Sequence, residues 1–379
     1  MARKPNPRPS KKGEKVRVPF KRNRASRPRP NDWTRRSRES DHRDIDSPTS
    51  ENVVAKGELS RRRTVIVHDD DADRPGLQKG IVVALSGLYA DVDDGAGLWT
   101  CTVRRILRTR LIQERHPVTV GDRVRFTVES DSPGVAREGV IESVEPRTGE
   151  LSRRVGRRIQ TIVANVDLAI IVSSAAEPPP KPNLIDRYIV SSMVGGITPV
   201  ICMNKIDLDE DGYAASILDR YDNLGYRTFR TSASDGTGIA ELQEALRDKA
   251  SVVAGQSGVG KSSLLNALQP GLDLRVGKII EKFDKGSHTT TTASLIRLDF
   301  GGYVVDTPGI RSFDVSDVPR QQLEAYFVEF IPFVPDCKFP DCSHTHENEC
   351  AVKDAADRGE IHPDRYDSYV RLFTEPCSG

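Results

Sequence analysis

The chain has 379 residues, 37% of them apolar, which is enough for two or three domains with their own cores. No stretch reaches the roughly 20 apolar residues of a transmembrane helix, and no apolar run follows the basic N-terminus, so we expect neither a membrane span nor a secretory signal. Six cysteines are too few for a disulfide scaffold, which favours a reducing compartment, and we expect a cytoplasmic protein.

The net charge of +1 conceals a strongly basic N-terminal segment. Residues 1–50 hold 16 Lys and Arg against 6 Asp and Glu, together with seven prolines. Such a segment cannot bury enough apolar surface to offset the entropy lost on ordering, so we predict a disordered basic extension over residues 1–77. The extension is either a nucleic-acid-binding arm, whose cations neutralise phosphates, or a solubilising tail.

Short strands separated by turns follow over residues 78–150. The segments 80–85, 99–103, 122–128 and 139–144 are rich in strand-forming residues and are bounded by Gly, Asp, Ser and Pro. Their spacing predicts a small β-barrel, for which an OB-fold is one option and an SH3-like barrel is another. Five arginines between two of these strands either line an RNA-facing groove or form a solvated face: Arg104, Arg105, Arg108, Arg110 and Arg115.

Strands and helices alternate from residue 151 to about residue 315, which predicts an α/β domain with a mostly parallel sheet. The apolar run 166–172 is typical of a strand covered on both faces, and Asn183 can cap the helix that follows it. Ligands of such a sheet lie at the carboxyl ends of its strands. The further predicted strands are 199–203, 226–230, 251–254 and 302–305, and the further predicted helices are 215–224, 239–249 and one from 261.

Residues 255–262 match the phosphate-binding pattern G-x-x-x-x-G-K-[ST] between a predicted strand and a predicted helix. Glycines let backbone N–H groups converge on phosphate oxygens, and the helix N-terminus favours negative charge. Lys261 should reach the β- and γ-phosphates, and the Ser262 hydroxyl should bind Mg²⁺; an ordinary glycine turn is the alternative. The predicted phosphate site comprises Gly255, Gln256, Ser257, Gly258, Val259, Gly260, Lys261, Ser262 and Ser263.

Asp306-Thr307-Pro308-Gly309 follows the predicted strand 302–305. A carboxylate at the end of such a strand can hold Mg²⁺ through water, so we expect this role for Asp306. The glycine lets the N–H of Gly309 approach the γ-phosphate. The pattern D-x-x-G is a weak signal alone, but downstream of a P-loop it is a strong one.

Asn204-Lys205-Ile206-Asp207 is the candidate for reading the base. The Asp207 carboxylate can accept hydrogen bonds from both N1–H and the 2-amino group of guanine, whereas adenine offers no matching pair of donors. The Lys205 stem can cover the base, and Thr231-Ser232-Ala233 suits a loop that offers a backbone N–H to guanine O6. Each segment alone could be a helix-capping turn, but together with the P-loop they indicate a GTPase.

The order of these elements is unusual, because the base-reading segments precede the P-loop and the switch segments 288–292 and 306–309 follow it. A domain that begins with its P-loop would need its ends rejoined to give this order, so we predict a circularly permuted G domain. The segment after Gly309 then leads out of the G domain. From this connectivity we hypothesise that the C-terminal domain moves with the nucleotide state.

Three cysteines and one histidine lie close together near the C-terminus. Cys337, Cys342, His344 and Cys350 offer a Cys₃His set, which is typical of a closed structural zinc site. His346 is an alternative ligand, and a cluster of unrelated core cysteines is the alternative interpretation. Zinc would contribute roughly 10–16 kcal/mol of apparent binding energy to the folding of so small a segment. The cysteines that fit no ligand spacing are Cys101, Cys202 and Cys377.

The permuted GTPase elements, the barrel before them and the C-x₄-C-x-H-x₅-C segment after them resemble the RsgA (YjeQ) family of small ribosomal subunit biogenesis GTPases, over about residues 78–375. The resemblance implies an OB-fold at 78–150, a circularly permuted P-loop G domain at 151–315 and a helical zinc-binding domain at 316–379. It also implies late maturation of the small subunit, with contact to its rRNA and subunit-stimulated hydrolysis of GTP to GDP. The basic extension departs from the family pattern, and a monomer is our default.

The resemblance extends to switch I, which corresponds to residues 286–291. Either Thr290 or Thr291 would reach Mg²⁺. Ile310 stands where a signalling GTPase has a water-orienting glutamine, so we expect an intrinsic rate on the order of 10⁻⁴–10⁻³ s⁻¹. His288 is the candidate for orienting the attacking water once a partner orders switch I, or it only shapes the loop.

Two other functions stay open on the sequence. One is a GTP-gated RNA-binding checkpoint protein with negligible hydrolysis. The other is a signalling GTPase with a protein partner, which the barrel, the basic arm and the zinc segment disfavour.

Overall fold

The computed structural model describes residues 14–19, 62–67, 76–104, 118–131, 137–155, 158–272, 293–306 and 320–374. Within these ranges, no helix combines the length and the apolar character that crossing a bilayer would require.

Two strands lie in the N-terminal extension. β1 (Glu14–Pro19) pairs antiparallel with β2 (Arg62–Val67), with Glu14 opposite Val67. The structure thus differs here from the disorder that we predicted over the extension. Valines that alternate with other residues, as in Val16 and Val18, favour strands in these two short segments despite the surrounding charge.

A closed five-stranded barrel follows, as the sequence predicted. Its strands are β3 (Gln78–Ser86), β4 (Tyr89–Asp93), β5 (Leu98–Val103), β6 (Arg123–Ser130) and β7 (Glu138–Val144). They are hydrogen-bonded in the order β3-β4-β5-β7-β6, and β6 closes onto β3. Val82, Trp99, Phe126 and Ile141 fill the interior. β4 was not predicted from the sequence, because its aspartates and the adjoining Asp-Gly turn indicate a loop.

An antiparallel ribbon connects the barrel to the α/β domain, formed by β8 (Glu150–Val155) and β9 (Arg158–Ala164). The sheet then comprises β10 (Leu168–Ser174), β11 (Thr198–Asn204), β12 (Arg227–Arg230), β13 (Ala250–Ala254), β14 (Ser294–Arg297) and β15 (Tyr303–Asp306). Its order is β12-β11-β10-β13-β15-β14. All neighbours are parallel except β14, an edge strand antiparallel to β15 that the sequence analysis did not predict.

Helices cover both faces of this sheet. They are α1 (Pro182–Val194), α2 (Tyr213–Asn223), α3 (Ile239–Leu246) and α4 (Lys261–Leu268). Residues of α1 and α2 belong to one apolar core, and residues of α3 and α4 belong to a second. The prediction that Asn183 caps α1 was wrong: the helix begins at Pro182, whose fixed φ suits the first helical position, and Lys181 takes the cap position without a side-chain hydrogen bond.

The C-terminal domain contains three short 3₁₀ segments (Arg320–Tyr326, Val328–Phe330 and Val334–Asp336) and the helices α5 (Ala351–Asp357) and α6 (Pro363–Thr374). Phe327, Phe330 and Tyr369 are fully buried at its centre. Buried Arg365 of α6 ties this domain to the α/β domain, because its Nη1 lies 2.6 Å from Asp186 Oδ1 on α1. Its Nε lies 2.5 Å from Glu329 Oε1 within the C-terminal domain.

Candidate nucleotide site and metal centre

The P-loop lies where the sequence predicted it, between the end of β13 and the start of α4. Lys261 is the first residue of α4, and its Nζ donates to the carbonyl oxygens of Gly255 at 2.9 Å and Gln256 at 2.8 Å. Its ammonium therefore lies inside the loop that the glycines form. Burial lowers the pKa of Lys261. Phosphate oxygens placed beside it would favour the charged form and offset that effect.

Asn204, the last residue of β11, joins the segments that we predicted to read the base to the P-loop. Its side chain is 1% exposed, and its Nδ2 donates to the carbonyl oxygen of Val259 at 2.9 Å. Its Oδ1 accepts from Ala233 N and from Thr231 Oγ1, both at 3.3 Å. Three segments far apart in the chain thus meet at one amide, at the carboxyl edge of the parallel strands.

Gly260 shows how closely these segments approach. A Cβ built on this glycine would lie 2.4 Å from Asn204 Nδ2, and its φ of +91° is one that other residues rarely adopt. Gly260 is therefore required both by the turn and by the adjacent segment that contains Asn204.

Lys205 and Asp207 follow Asn204 at the carboxyl edge of the parallel strands. Lys205 has a left-handed φ of 60°, and its Nζ donates to the P-loop carbonyl of Gly258 at 2.9 Å and to Glu177 O at 2.5 Å. Asp207 is exposed, and its Oδ2 accepts from Ser234 Oγ at 3.3 Å. The lysine stem thus lies across the P-loop, while the carboxylate faces the loop after β12. Ile206 begins a short 3₁₀ turn between them.

The loop after β12 is held by its own buried polar groups. Thr231 and Ser232 are fully buried, and Thr231 N donates to Met203 O at 2.8 Å. We expected a backbone N–H of residues 231–233 to face guanine O6. In this structure the N–H of Ala233 donates to Asn204 Oδ1. The loop therefore supports Asn204 directly.

The switch residues are described only in part. Asp306 ends β15 opposite Ser294, and Val305, one residue before it, is level with Val252 of the P-loop strand. The backbone of Asp306 therefore lies at the end of β15, the strand next to β13, which leads into the P-loop. The predicted site residues that lie outside the described residues are His288, Thr290, Thr291 and Gly309.

Cys337, Cys342, His344 and Cys350 converge, with their ligand atoms all within 4.8 Å of one another. Cys337 Sγ lies 3.5 Å from His344 Nδ1 and 3.9 Å from Cys350 Sγ, and His344 Nδ1 lies 3.4 Å from Cys350 Sγ. Bonds of about 2.3 Å to sulfur and 2.0 Å to nitrogen in a tetrahedral zinc site put ligand atoms roughly 3.3–3.8 Å apart, so the four residues fit the ion.

The other histidine candidate does not join this cluster. The side chain of His346 is 82% exposed, and its Nδ1 contacts Thr345 Oγ1 at 3.0 Å. His344 is 1% exposed, and its second nitrogen, Nε2, lies 2.7 Å from Glu324 Oε2. A carboxylate of this kind fixes the orientation of a ligating histidine. Glu324 was not predicted from the sequence, because nothing in its segment indicates a partner twenty residues away.

Comparison with known proteins identifies the family of this chain. A family model described as RsgA GTPase matches residues 144–316. The "Small ribosomal subunit biogenesis GTPase RsgA" of Chlorobaculum parvum is 44% identical over 263 residues, which cover 68% of this chain and 84% of that protein. The protein of the same name from Thermotoga maritima is 41% identical over 304 residues, covering 79% and 96%. The chain belongs to the RsgA GTPase family.

Solved structures agree with this assignment to the RsgA GTPase family. The crystal structure of YjeQ from Thermotoga maritima shares 37% identity with a TM-score of 0.63, and the match covers 78% of this chain and 97% of that chain. The crystal structure of YloQ, described as a circularly permuted GTPase, shares 32% identity with a TM-score of 0.61, and the match covers 81% of this chain and 96% of that chain. The prediction of a permuted G domain between a barrel and a Cys/His cluster is thus confirmed.

Proposed function

We propose that this chain hydrolyses GTP to GDP and phosphate while it is bound to the small ribosomal subunit. It acts in the cytoplasm, late in the maturation of that subunit, and hydrolysis sets the time at which the chain is released from the subunit. The observation that carries the proposal is the hydrogen bonding of Asn204, which joins the P-loop to both base-reading segments. We infer the small ribosomal subunit as the partner from relatives that are named small ribosomal subunit biogenesis GTPases. We take the acting form to be a monomer that contacts rRNA.

Different residues of the site would bind the base and the phosphates. Asp207 would accept from N1–H and the 2-amino group of guanine, and the Lys205 stem would cover the ring. The P-loop N–H groups and Lys261 would hold the β- and γ-phosphates. Ser262, Asp306 and one of Thr290 and Thr291 would hold the Mg²⁺ that neutralises charge on the phosphates.

The reaction needs a group that positions water. Ile310 has no polar atom for this, so the isolated chain should turn over slowly. We propose that His288 accepts a hydrogen bond from the attacking water once the subunit orders switch I, while Gly309 N–H donates to the γ-phosphate. In the C-terminal domain, Cys337, Cys342, His344 and Cys350 would hold a structural zinc ion.

The test is steady-state GTP turnover with and without purified small ribosomal subunits, with large subunits as the matched control. We expect stimulation by orders of magnitude from the small subunit alone, because ordering the catalytic groups of a GTPase raises its rate by up to roughly 10⁵-fold. Binding to the subunit without stimulation would instead identify a GTP-gated checkpoint protein. Indifference to both subunits would favour a signalling GTPase with a protein partner.

A further inference from the structure

The barrel meets the α/β domain at the hairpin that β14 and β15 form. β3 lies against β14, the edge strand of the sheet. The side chains of β3 alternate between two cores: Val82 is buried inside the barrel, whereas Val83 belongs to the apolar core that contains Leu295 of β14 and Val305 of β15. This contact fixes the barrel along the hairpin.

A single barrel carboxylate contacts both strands of that hairpin. Asp93, the last residue of β4, is 5% exposed, and its Oδ2 accepts from the Tyr303 hydroxyl at 2.9 Å. Its Oδ1 lies 3.5 Å from Arg297 Nη1, which also donates to Gly95 O at 2.9 Å. Tyr303 and Arg297 are directly opposite one another in the hairpin. Burial and the bond to Asp93 raise the pKa of Tyr303 to about 12, so its hydroxyl stays a donor at neutral pH.

The hairpin connects the two segments that should sense the γ-phosphate. β15 ends at Asp306, three residues after Tyr303, which is roughly 10 Å along a strand. β14 begins at Ser294, three residues after Thr291, and Ser294 is opposite Asp306. Because a strand in a sheet moves as a unit, the position of Tyr303 sets where the end of β15 lies relative to the P-loop.

We propose that Asp93 is a positioning residue for GTP hydrolysis, acting through Tyr303 and Arg297 on Asp306. The inference rests on the proposed function, in which Asp306 helps to hold Mg²⁺. The side chain of Asp93 contacts the hairpin and the adjoining turn, through Tyr303, Arg297 and Gly95 N. Its carboxylate holds the hairpin from the barrel side.

Tyr303→Phe tests this with little disturbance, because it removes one hydroxyl and keeps the ring. We expect kcat of subunit-stimulated turnover to fall roughly three- to tenfold, which is the net contribution of one typical hydrogen bond. KM for GTP should stay unchanged, because the P-loop and Asp207 hold the nucleotide. The Mg²⁺ concentration for half-maximal binding of a fluorescent non-hydrolysable GTP analogue should rise by about the same factor, and this titration needs no turnover.

Matched variants separate positioning from general damage. Tyr213→Phe removes a hydroxyl from an exposed tyrosine on α2, which lies toward the opposite edge of the sheet, and should change neither value. Asp93→Asn keeps an acceptor oxygen and should lose less than Asp93→Ala. The double variant of Asp93→Ala and Tyr303→Phe should be no slower than Asp93→Ala alone, because both changes break one contact.

The outcomes distinguish this inference from the proposed function. If the unmodified chain shows no turnover with small subunits, the proposed function fails, and the Mg²⁺ titration alone decides the positioning role. If turnover is present but Tyr303→Phe matches the unmodified chain in both kcat and Mg²⁺ dependence, the positioning role of Asp93 is overturned. A fall in kcat with the Mg²⁺ shift supports it.

Discussion

Asp207→Asn is expected to change the base that this chain binds from guanine to xanthine. The carboxylate of Asp207 can accept from two guanine donors, and an amide places its own NH₂ against one of them. Leaving such donors unpaired costs several kcal/mol, so we expect the affinity for GTP to fall by roughly 10²–10³-fold. Xanthine has an oxygen in place of the 2-amino group and can accept from the new amide, so xanthosine triphosphate should bind in its place.

Competition between the two nucleotides for the P-loop measures this exchange directly. Asp211→Asn is the matched control, because Asp211 is an exposed aspartate four residues further on, and its Oδ1 accepts from Tyr213 N, which an asparagine can also do. The control should keep its preference for GTP. If an Asp207→Asn variant still bound GTP as tightly as the unmodified chain, Asp207 would not contact the base.

Cys350→Ser is expected to abolish zinc binding and unfold much of the C-terminal domain. Cys350 is 1% exposed and belongs to the same apolar cluster as Phe327 and Tyr369. Structural zinc contributes roughly 10–16 kcal/mol of apparent folding energy, which the small core around it cannot replace. The zinc content of the purified chain and its thermal unfolding check the expectation. Full zinc content together with unchanged unfolding would contradict it.

The zinc affinity of Glu324 variants tests whether this residue orients His344. Glu324→Ala should weaken zinc affinity roughly 10- to 100-fold, measured by competition with a chelator, because His344 Nε2 loses its acceptor. Glu324→Gln keeps an acceptor oxygen and should lose much less. Glu349→Gln changes an exposed glutamate that pairs with Lys338 and should leave zinc affinity unchanged. Equal affinity in all three variants would show that Glu324 does not orient His344.

The docking of the C-terminal domain limits how it can respond to nucleotide. Arg365 is buried between Asp186 and Glu329, and Asp186 also accepts from the Tyr221 hydroxyl at 2.8 Å. Movement of the domain away from α1 would separate Arg365 from Asp186, and breaking a buried ion pair costs roughly 3–5 kcal/mol. Glu329 lies in the C-terminal domain and would move with Arg365. The hypothesised movement of this domain stays a prediction, and bound GTP would have to supply at least that difference between the two states.

The sequence predicted the parts of this molecule whose chemistry is local. A P-loop, a base-reading tetrapeptide and a Cys₃His set each need particular residues within a short stretch, so they are recognisable before any fold is known. β4 was missed because Asp91 and Asp93 interrupt the apolar pattern of its segment.

The contacts that assemble the site could not be predicted in this way. Asn204 and Val259 are 55 residues apart in the chain, and Asp93 and Tyr303 are 210 residues apart. No local pattern links such partners, because each depends on how the strands are ordered in the finished sheet. Asn204 was identified as a base-site residue, but its role as the bridge to the P-loop required the structure.

A structure of the chain with Mg²⁺ and a non-hydrolysable GTP analogue tests most directly whether segments in permuted order form one nucleotide site. We expect a single nucleotide whose guanine N1 and 2-amino group lie about 2.7–3.2 Å from the Asp207 carboxylate, with Lys261 Nζ on the β- and γ-phosphates of the same molecule. A nucleotide whose phosphates occupy the P-loop while its base lies away from Asn204 and Asp207 would contradict the account.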